Sequence, residues 1–237
     1  MRGWSVLLLL LCLSCSRPQG GSLEVERMSD NAFPLSPSGI TRDSTAFTLL
    51  YPFYSQDCLC TSYPRLLCRE GRAAFLNGTS LERIHGAYDL GGAVREGENL
   101  LELRCGEVPE DAALIGEFGV WPAQDGGWCV GKSRPLELGS LVSQGLPFYT
   151  GTVAYRRQYE LPEKVGRRWL RLSGWKGEAC ELWVNYRKVA DIRSERMKME
   201  VGPYLQPGLN EIELRIAGWP ASSIPGDFGL FGDFSLK

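Results

Sequence analysis

Two stretches of this chain read almost alike: REGENLLELRC (95–105) and QPGLNEIELRI (206–216). Each has a Gly, one intervening residue, an Asn, and then a run through Glu-Leu-Arg to one more apolar residue. Two further pairs match: AFLNG (74–78) with LWVNY (182–186), and GEFGVW (116–121) with GDFGLF (226–231). The three pairs stand 108, 111 and 110 residues apart and keep their order. Near-constant offsets with small insertions are what two copies of one structural unit produce. Core positions should then correspond: Leu76 with Val184, Leu101 with Ile212, Leu103 with Leu214, Cys105 with Ile216. Turn positions should too, Gly97 with Gly208 and Asn99 with Asn210. A Gly tolerates positive φ before a strand, and an Asn bonds its neighbouring backbone.

The unit is all-β. Short runs rich in β-branched and aromatic residues alternate with Gly, Pro and Asn, and no stretch keeps helical spacing for longer than about two turns. In TVAYRRQYEL (152–161), Val153, Tyr155, Tyr159 and Leu161 share a face that Arg157 interrupts. In NEIELRI (210–216), Ile212, Leu214 and Ile216 point one way while Glu211, Glu213 and Arg215 point the other. One buried and one wet face give this period of two. Many such strands with frequent turns indicate sandwiches or barrels. The chain is therefore expected to hold a signal segment (1–15), a Ser-, Pro- and Gly-rich lead-in (16–44), a first β-sandwich module (45–125), a connection (126–148) and a second module (149–237).

The start, MRGWSVLLLLLCLSCS, has Arg2 and then an apolar core, Val6–Leu13, too short to span a bilayer. It reads as an export signal. Two routes stay open: lipid attachment at Cys15, which follows Ser14 in a lipobox-like CLSC, or plain secretion after Ser16. Either leads outside the cytosol, where the six later cysteines (Cys58, Cys60, Cys68, Cys105, Cys129, Cys180) could pair in ways the sequence leaves open. Cys105 ends an alternating strand and is expected as a buried free thiol. A net charge of −2 without a basic run argues against nucleic acid. The spacing of Cys58 and Cys60 and a single histidine, His85, argue against zinc, and no loop has calcium spacing. No cofactor is expected. Asn77-Gly78-Thr79 is both a glycosylation sequon and a two-residue hairpin signal; the aligned Asn185 favours the hairpin.

SQGLPFYTGTVAYRRQYELP (143–162), GEACELWVNYRKVA (177–190) and VGPYLQPGLNEIELRIAG (201–218) together resemble the sugar-binding-type jelly-roll domain of family 2 glycoside hydrolases and their bacterial relatives, a galactose-binding-like β-sandwich. RAAFLNGTSLERIHGAYDLGGAVREGEN (72–99) resembles the same unit. Tyr186 stands where that family prefers Gly in its hairpin, which implies a longer turn there. The likeness spans residues 45 to 237 and omits the barrel that carries catalysis in such enzymes. It implies a non-catalytic, extracytoplasmic carbohydrate-binding or accessory module. The alternative is a structural or assembly protein docking onto a separate glycoside hydrolase chain, with a membrane reached only through a lipid anchor.

Glycoside hydrolysis needs two carboxylates about 5–10 Å apart. The repeat-equivalent Glu117 and Asp227 are the pair a small glycosidase would use, but equivalence in a repeat points to a shared structural role, so no catalytic residue is expected. His85 reads as a surface residue in a loop. Sugar rings stack on aromatic faces, and Trp121, Trp128, Tyr149, Trp175 and Trp219, near Gly or Pro at strand ends, are the candidate binding residues. Trp183, aligned with Phe75 on a strand, could be a core position.

Overall fold

The structure, a computed structural model, describes residues 20–59, 62–109, 111–220 and 226–237. The expectations about the export leader and Cys15 lie outside the described residues, as does Cys60. Three strands come from the N-terminal lead: β1 (Glu24–Arg27), β2 (Asn31–Pro34) and β3 (Gly39–Arg42). The first half continues with β4 (Phe47–Ser55), β5 (Arg65–Leu67), β6 (Gly71–Leu76), β7 (Thr79–Ser80), β8 (Glu82–Ile84), β9 (Ala87–Asp89), β10 (Gly97–Cys105), β11 (Ala113–Gly116), β12 (Phe118–Pro122) and β13 (Trp128–Lys132). The second half holds β14 (Thr152–Leu161), β15 (Trp169–Leu172), β16 (Trp175–Lys176), β17 (Ala179–Val184), β18 (Arg187–Ile192), β19 (Met197–Glu200), β20 (Gly208–Ala217), β21 (Gly229–Leu230) and β22 (Phe234–Leu236). Helical structure among the described residues is confined to three single 3₁₀ turns, and none is long enough to cross a membrane.

Two hydrophobic cores form. In the first half, the sheet β12-β13-β4-β10-β6-β7, with β3 also on β4, shares a core with β2-β11-β5-β9-β8. In the second half, β1-β14-β20-β17-β18 shares a core with β19-β15-β22, closed at one end by the pair β16-β21. The duplication shows in the strand order, since β4-β10-β6-β7 in one half repeats as β14-β20-β17-β18 in the other. The matched inward residues Leu76, Leu101, Leu103 and Cys105, and Val184, Ile212, Leu214 and Ile216, are all buried.

The repeated Gly-x-Asn is a buried latch. Asn210 Oδ1 accepts from Gln206 N and Asn185 Nδ2 (both 2.9 Å), and its Nδ2 donates to Gln206 O and Gly208 O (2.7 and 3.0 Å). In turn Asn185 Oδ1 accepts from Glu211 N (2.9 Å). Asn99 makes the same set with Arg95, Gly97 and Asn77 (2.8–3.1 Å), and Asn77 Oδ1 accepts from Leu100 N (3.0 Å). Gly97 (φ 92°) and Gly208 (φ 83°) sit in open space, so backbone conformation rather than crowding requires glycine there. The latch ties the loop before each central strand to the neighbouring hairpin.

Several expectations change. The lead is not an irregular tether: β1 is an edge strand of the second half, and β2 and β3 belong to the first. Leu23 and Val25 pack on one core while Phe33 and Leu35 pack on the other, a pattern too short to show as periodicity. Asn31, fully buried, donates to Phe118 O and Gly145 O (3.1 and 2.9 Å). The connection carries β13, which joins β12 to β4. The second hairpin is no longer than the first. Asn185 and Tyr186 form a two-residue turn with φ 49° and 64°, matching Asn77-Gly78 at 51° and 83°. Strand twist selects this turn, and Tyr186 accepts left-handed backbone to satisfy it. Cys58, Cys68, Cys105, Cys129 and Cys180 are all unpaired, and all but Cys58 are buried.

Candidate functional site

Four of the five aromatic candidates are buried or half-buried. Trp121 and Trp175 are each 8% exposed. The Trp121 ring lies under the Arg134 guanidinium (4.3 Å), and Trp175 Nε1 donates to Ser194 O (2.9 Å). Trp128 is half-buried, edge-on to Phe148 at 5.5 Å. Tyr149 is buried and stacked on Phe228. Only Trp219 is open, 41% exposed, with its Nε1 donating to Asp227 O (3.1 Å). Glu117 is exposed in the first half, and Asp227, also exposed, accepts from Ser140 Oγ and pairs with Lys176 (3.7 Å). His85 is exposed in the His85-Gly86 turn between β8 and β9.

The outer face of β1-β14-β20-β17-β18 carries a different set. Because Val184 and Leu182 point into the core, the pleat puts Trp183 and Glu181 outside, so Trp183 is not a core residue. It lies opposite Glu213 in register, and the Arg215 guanidinium sits 3.8 Å over its ring. Glu213, 3% exposed, pairs with Arg215 and with Arg156 (3.1 Å), and Arg156 reaches Glu26. The first half holds a plainer copy of this arrangement: Phe75 opposite Glu102, Arg104 over the Phe75 ring at 5.0 Å, and Glu102 paired with Arg104 at 2.9 Å. The repeated Glu-Leu-Arg is therefore an outward ion pair under which an aromatic ring from the next strand is held. That shared part is structural.

The additions in the second half build a site. Thr152, Ala217 and Ala179 are direct cross-strand neighbours, so three adjacent strands present small side chains along one row. The result is a depression of about 430 Å³, floored by that row and Gly151, and walled by Glu181, Arg215, Met28 and Ser29. Its far wall stands on Tyr149, whose hydroxyl accepts from Ser29 N (3.2 Å), is bonded to Ser29 Oγ (3.1 Å) and donates to Thr152 O (2.8 Å). A side chain at Gly151 would meet Ser29 Oγ at 2.2 Å and Tyr149 Oη at 2.6 Å, so the floor needs glycine for space. The near wall is fixed by Lys188 Nζ donating to Glu181 Oε1 and Asp191 Oδ1 (both 2.6 Å), and by Trp183 Nε1 donating to Glu181 Oε2 (2.9 Å). The Lys188 hydrogen bond, against partial burial and helped by the indole, holds the Glu181 carboxyl below the ordinary range.

Sequence reasoning reached Tyr149 as a candidate stacking ring; the structure shows its hydroxyl bracing Ser29 and Thr152. Sequence reasoning passed over Glu181, Arg215 and Trp183, although the parity that places Leu182 and Leu214 inside places these three outside. It had no means of finding Ser29, which lies far from the others along the chain. Among the described residues, no group of His, Cys, Asp and Glu could hold a metal ion.

No protein-family model matches the chain, and no curated protein matches it. Solved structures that resemble it include the α-L-rhamnosidase of Streptomyces avermitilis with L-rhamnose (15% identity, 89% of this chain and 26% of that one, TM-score 0.30). Others are a rhamnosidase from Novosphingobium sp. PP1Y (15%, 87% and 24%, TM-score 0.33) and a β-D-mannosidase from Dictyoglomus thermophilum (12%, 82% and 31%, TM-score 0.26). All three are glycoside hydrolases. The chain spans about a quarter to a third of their lengths. At these identities and TM-scores the likenesses carry no argument about its chemistry.

Proposed function

We propose that this chain is a non-catalytic, extracytoplasmic accessory module of the glycoside hydrolase type that binds a neutral carbohydrate in the depression over Gly151, Thr152, Ala179 and Ala217. The observation that carries the reading is the pairing of one carboxylate, one guanidinium and two hydroxyl side chains around a floor of small residues. A sugar hydroxyl both donates and accepts, so it can bridge Glu181 and Arg215. The small floor leaves room for the C–H face of a ring. Among the described residues Glu181 is the only carboxylate lining the depression, and its lowered pKa keeps it ionised. Hydrolysis would require a second carboxylate, with one of the two protonated at working pH. Export through the leader, with lipid on Cys15 or cleavage after Ser16, would put the module where polysaccharide is met.

The test is a glycan array followed by titration calorimetry on the best neutral oligosaccharide. Glu181→Gln removes the carboxylate's charge and one acceptor oxygen, Thr152→Val removes the hydroxyl, and each should weaken binding about tenfold. A folded protein that binds no neutral glycan, or variants that bind as tightly as the parent, would overturn the proposal.

A further inference from the structure

The opposite face of the second half carries a second groove whose charge is unbalanced. It measures about 720 Å³ and lies on the outer side of β19-β15-β22, lined by Arg171, Ser173, Arg196, Lys198, Asp233 and Ser235 among others. Leu170 and Leu172 point into the core, which turns Arg171 outward between them. Its two cross-strand partners are Lys198 on β19 and Ser235 on β22. Like charges directly opposite on a sheet are destabilising, so Arg171 facing Lys198 costs stability in the free protein. Arg196 sits just before β19 at the same end. The one acid in the groove, Asp233, is already engaged by Arg157 through two hydrogen bonds (2.9 and 3.1 Å). Among the described residues, Arg171, Arg196 and Lys198 form no ion pair, whereas Arg156, Lys188 and Arg215 on the other sheet are matched by Glu26, Glu181, Asp191 and Glu213.

We propose that this groove binds an acidic polysaccharide, with Arg171, Arg196 and Lys198 taking its carboxylate or sulfate groups and Ser173 and Ser235 its hydroxyls. The cations are spread along a sheet and interleaved with hydroxyl side chains, which matches a polymer carrying one anion and several hydroxyls per unit better than a compact phosphate. Among the described residues no aromatic ring lines the groove, and Trp169, two residues before Arg171 on β15, is capped by Lys198 Nζ at 4.4 Å, so the groove offers little for the base stacking on which single-stranded nucleic acids depend. The proposal concerns a different face and ligand class from the neutral-sugar depression and does not depend on it.

Binding of the full chain to heparin and to polygalacturonate should be measured at about 0.05 M and about 0.5 M salt, with dextran, phosphatidylcholine–phosphatidylserine vesicles and single-stranded DNA as comparators. Both acidic polysaccharides should bind at low salt and release at high salt. Arg171→Gln with Arg196→Gln should weaken them about fivefold or more. Arg187→Gln with Arg193→Gln, the same loss of charge at exposed positions by the other sheet, should leave affinity within about twofold. All four positions are exposed, and unchanged melting temperatures will show that each variant folds. Neutral-sugar binding should survive the first pair of changes, which separates this groove from the depression. Equal losses in the two double variants would reduce the effect to overall charge and overturn the proposal. So would tighter binding to vesicles or DNA, or the absence of polysaccharide binding by folded protein.

Discussion

Replacing Asn210 with Ala tests whether the repeated Gly-x-Asn latch holds each half together. Asn210 is 1% exposed and its side chain makes four hydrogen bonds. Two of them go to Gln206, whose backbone lies in an exposed turn where water can replace them. The other two, from Asn185 Nδ2 and to Gly208 O, lose their partner beneath the turn. At about 1–3 kcal/mol for each of these two groups left unpaired, the expected cost is about 2–6 kcal/mol. Asn99→Ala should cost a similar or smaller amount in the first half, because Asn99 makes the corresponding four bonds but Asn77 Nδ2 also reaches Ala93 O (3.4 Å). The control is Leu209→Ala, the neighbouring residue, which is 59% exposed and should cost less than about 0.5 kcal/mol. Urea unfolding followed by tryptophan fluorescence and far-ultraviolet circular dichroism reads all three. An Asn210→Ala variant within about 0.5 kcal/mol of the parent would refute the reasoning, because the four bonds would then be ornaments of a turn held by something else.

Tyr186→Gly should stabilise the protein by about 0.5–1 kcal/mol in the same assay, since Tyr186 is 79% exposed, packs little and holds φ 64°; any loss would mean that the ring makes a contact worth more than the strain. Gly151→Ala should cost about 1–3 kcal/mol through overlap with Ser29 and Tyr149 and should abolish neutral-sugar binding, whereas retained affinity would move the ligand elsewhere. Among the described cysteines, iodoacetamide at about pH 8 should label Cys58 alone in the native protein, because the others are buried and burial pushes the Cys180 thiol up to about 12; peptide mapping that finds Cys180 modified before unfolding would contradict this. Glu181 has a folded pKa below its unfolded one, so its contribution is present above about pH 4.5 and is lost as pH falls through the folded value. Its side chain is 32% exposed, which limits the effect to about 1 kcal/mol or less, and the stability gap between the parent and Glu181→Gln should be flat from about pH 5 to 8 and shrink below about pH 4; a gap that grows on acidification would reverse the assignment.

Much of the fold was legible along the chain because its causes are local or repeated. Strand alternation depends on neighbours two apart, the Asn77-Gly78 hairpin on two residues, and the duplicated core on three matched blocks. Parity even held the information that Trp183 faces outward, since its neighbour Val184 is a matched core position. Phe75 itself lies outside, under Arg104.

The sequence by itself determined that this chain makes two β-sandwich cores with matching central strands, because burying one face of an alternating strand dictates both its parity and its partners. Only the tertiary structure decided that β1 crosses to the second half, that Tyr149 props Ser29 and Thr152, and that three small residues from three strands line up into a depression while Arg171 meets Lys198 on the opposite face. Those are pairings between segments tens of residues apart or more, set by strand register and sheet order, and register is a property of the assembled sheet that no single segment carries.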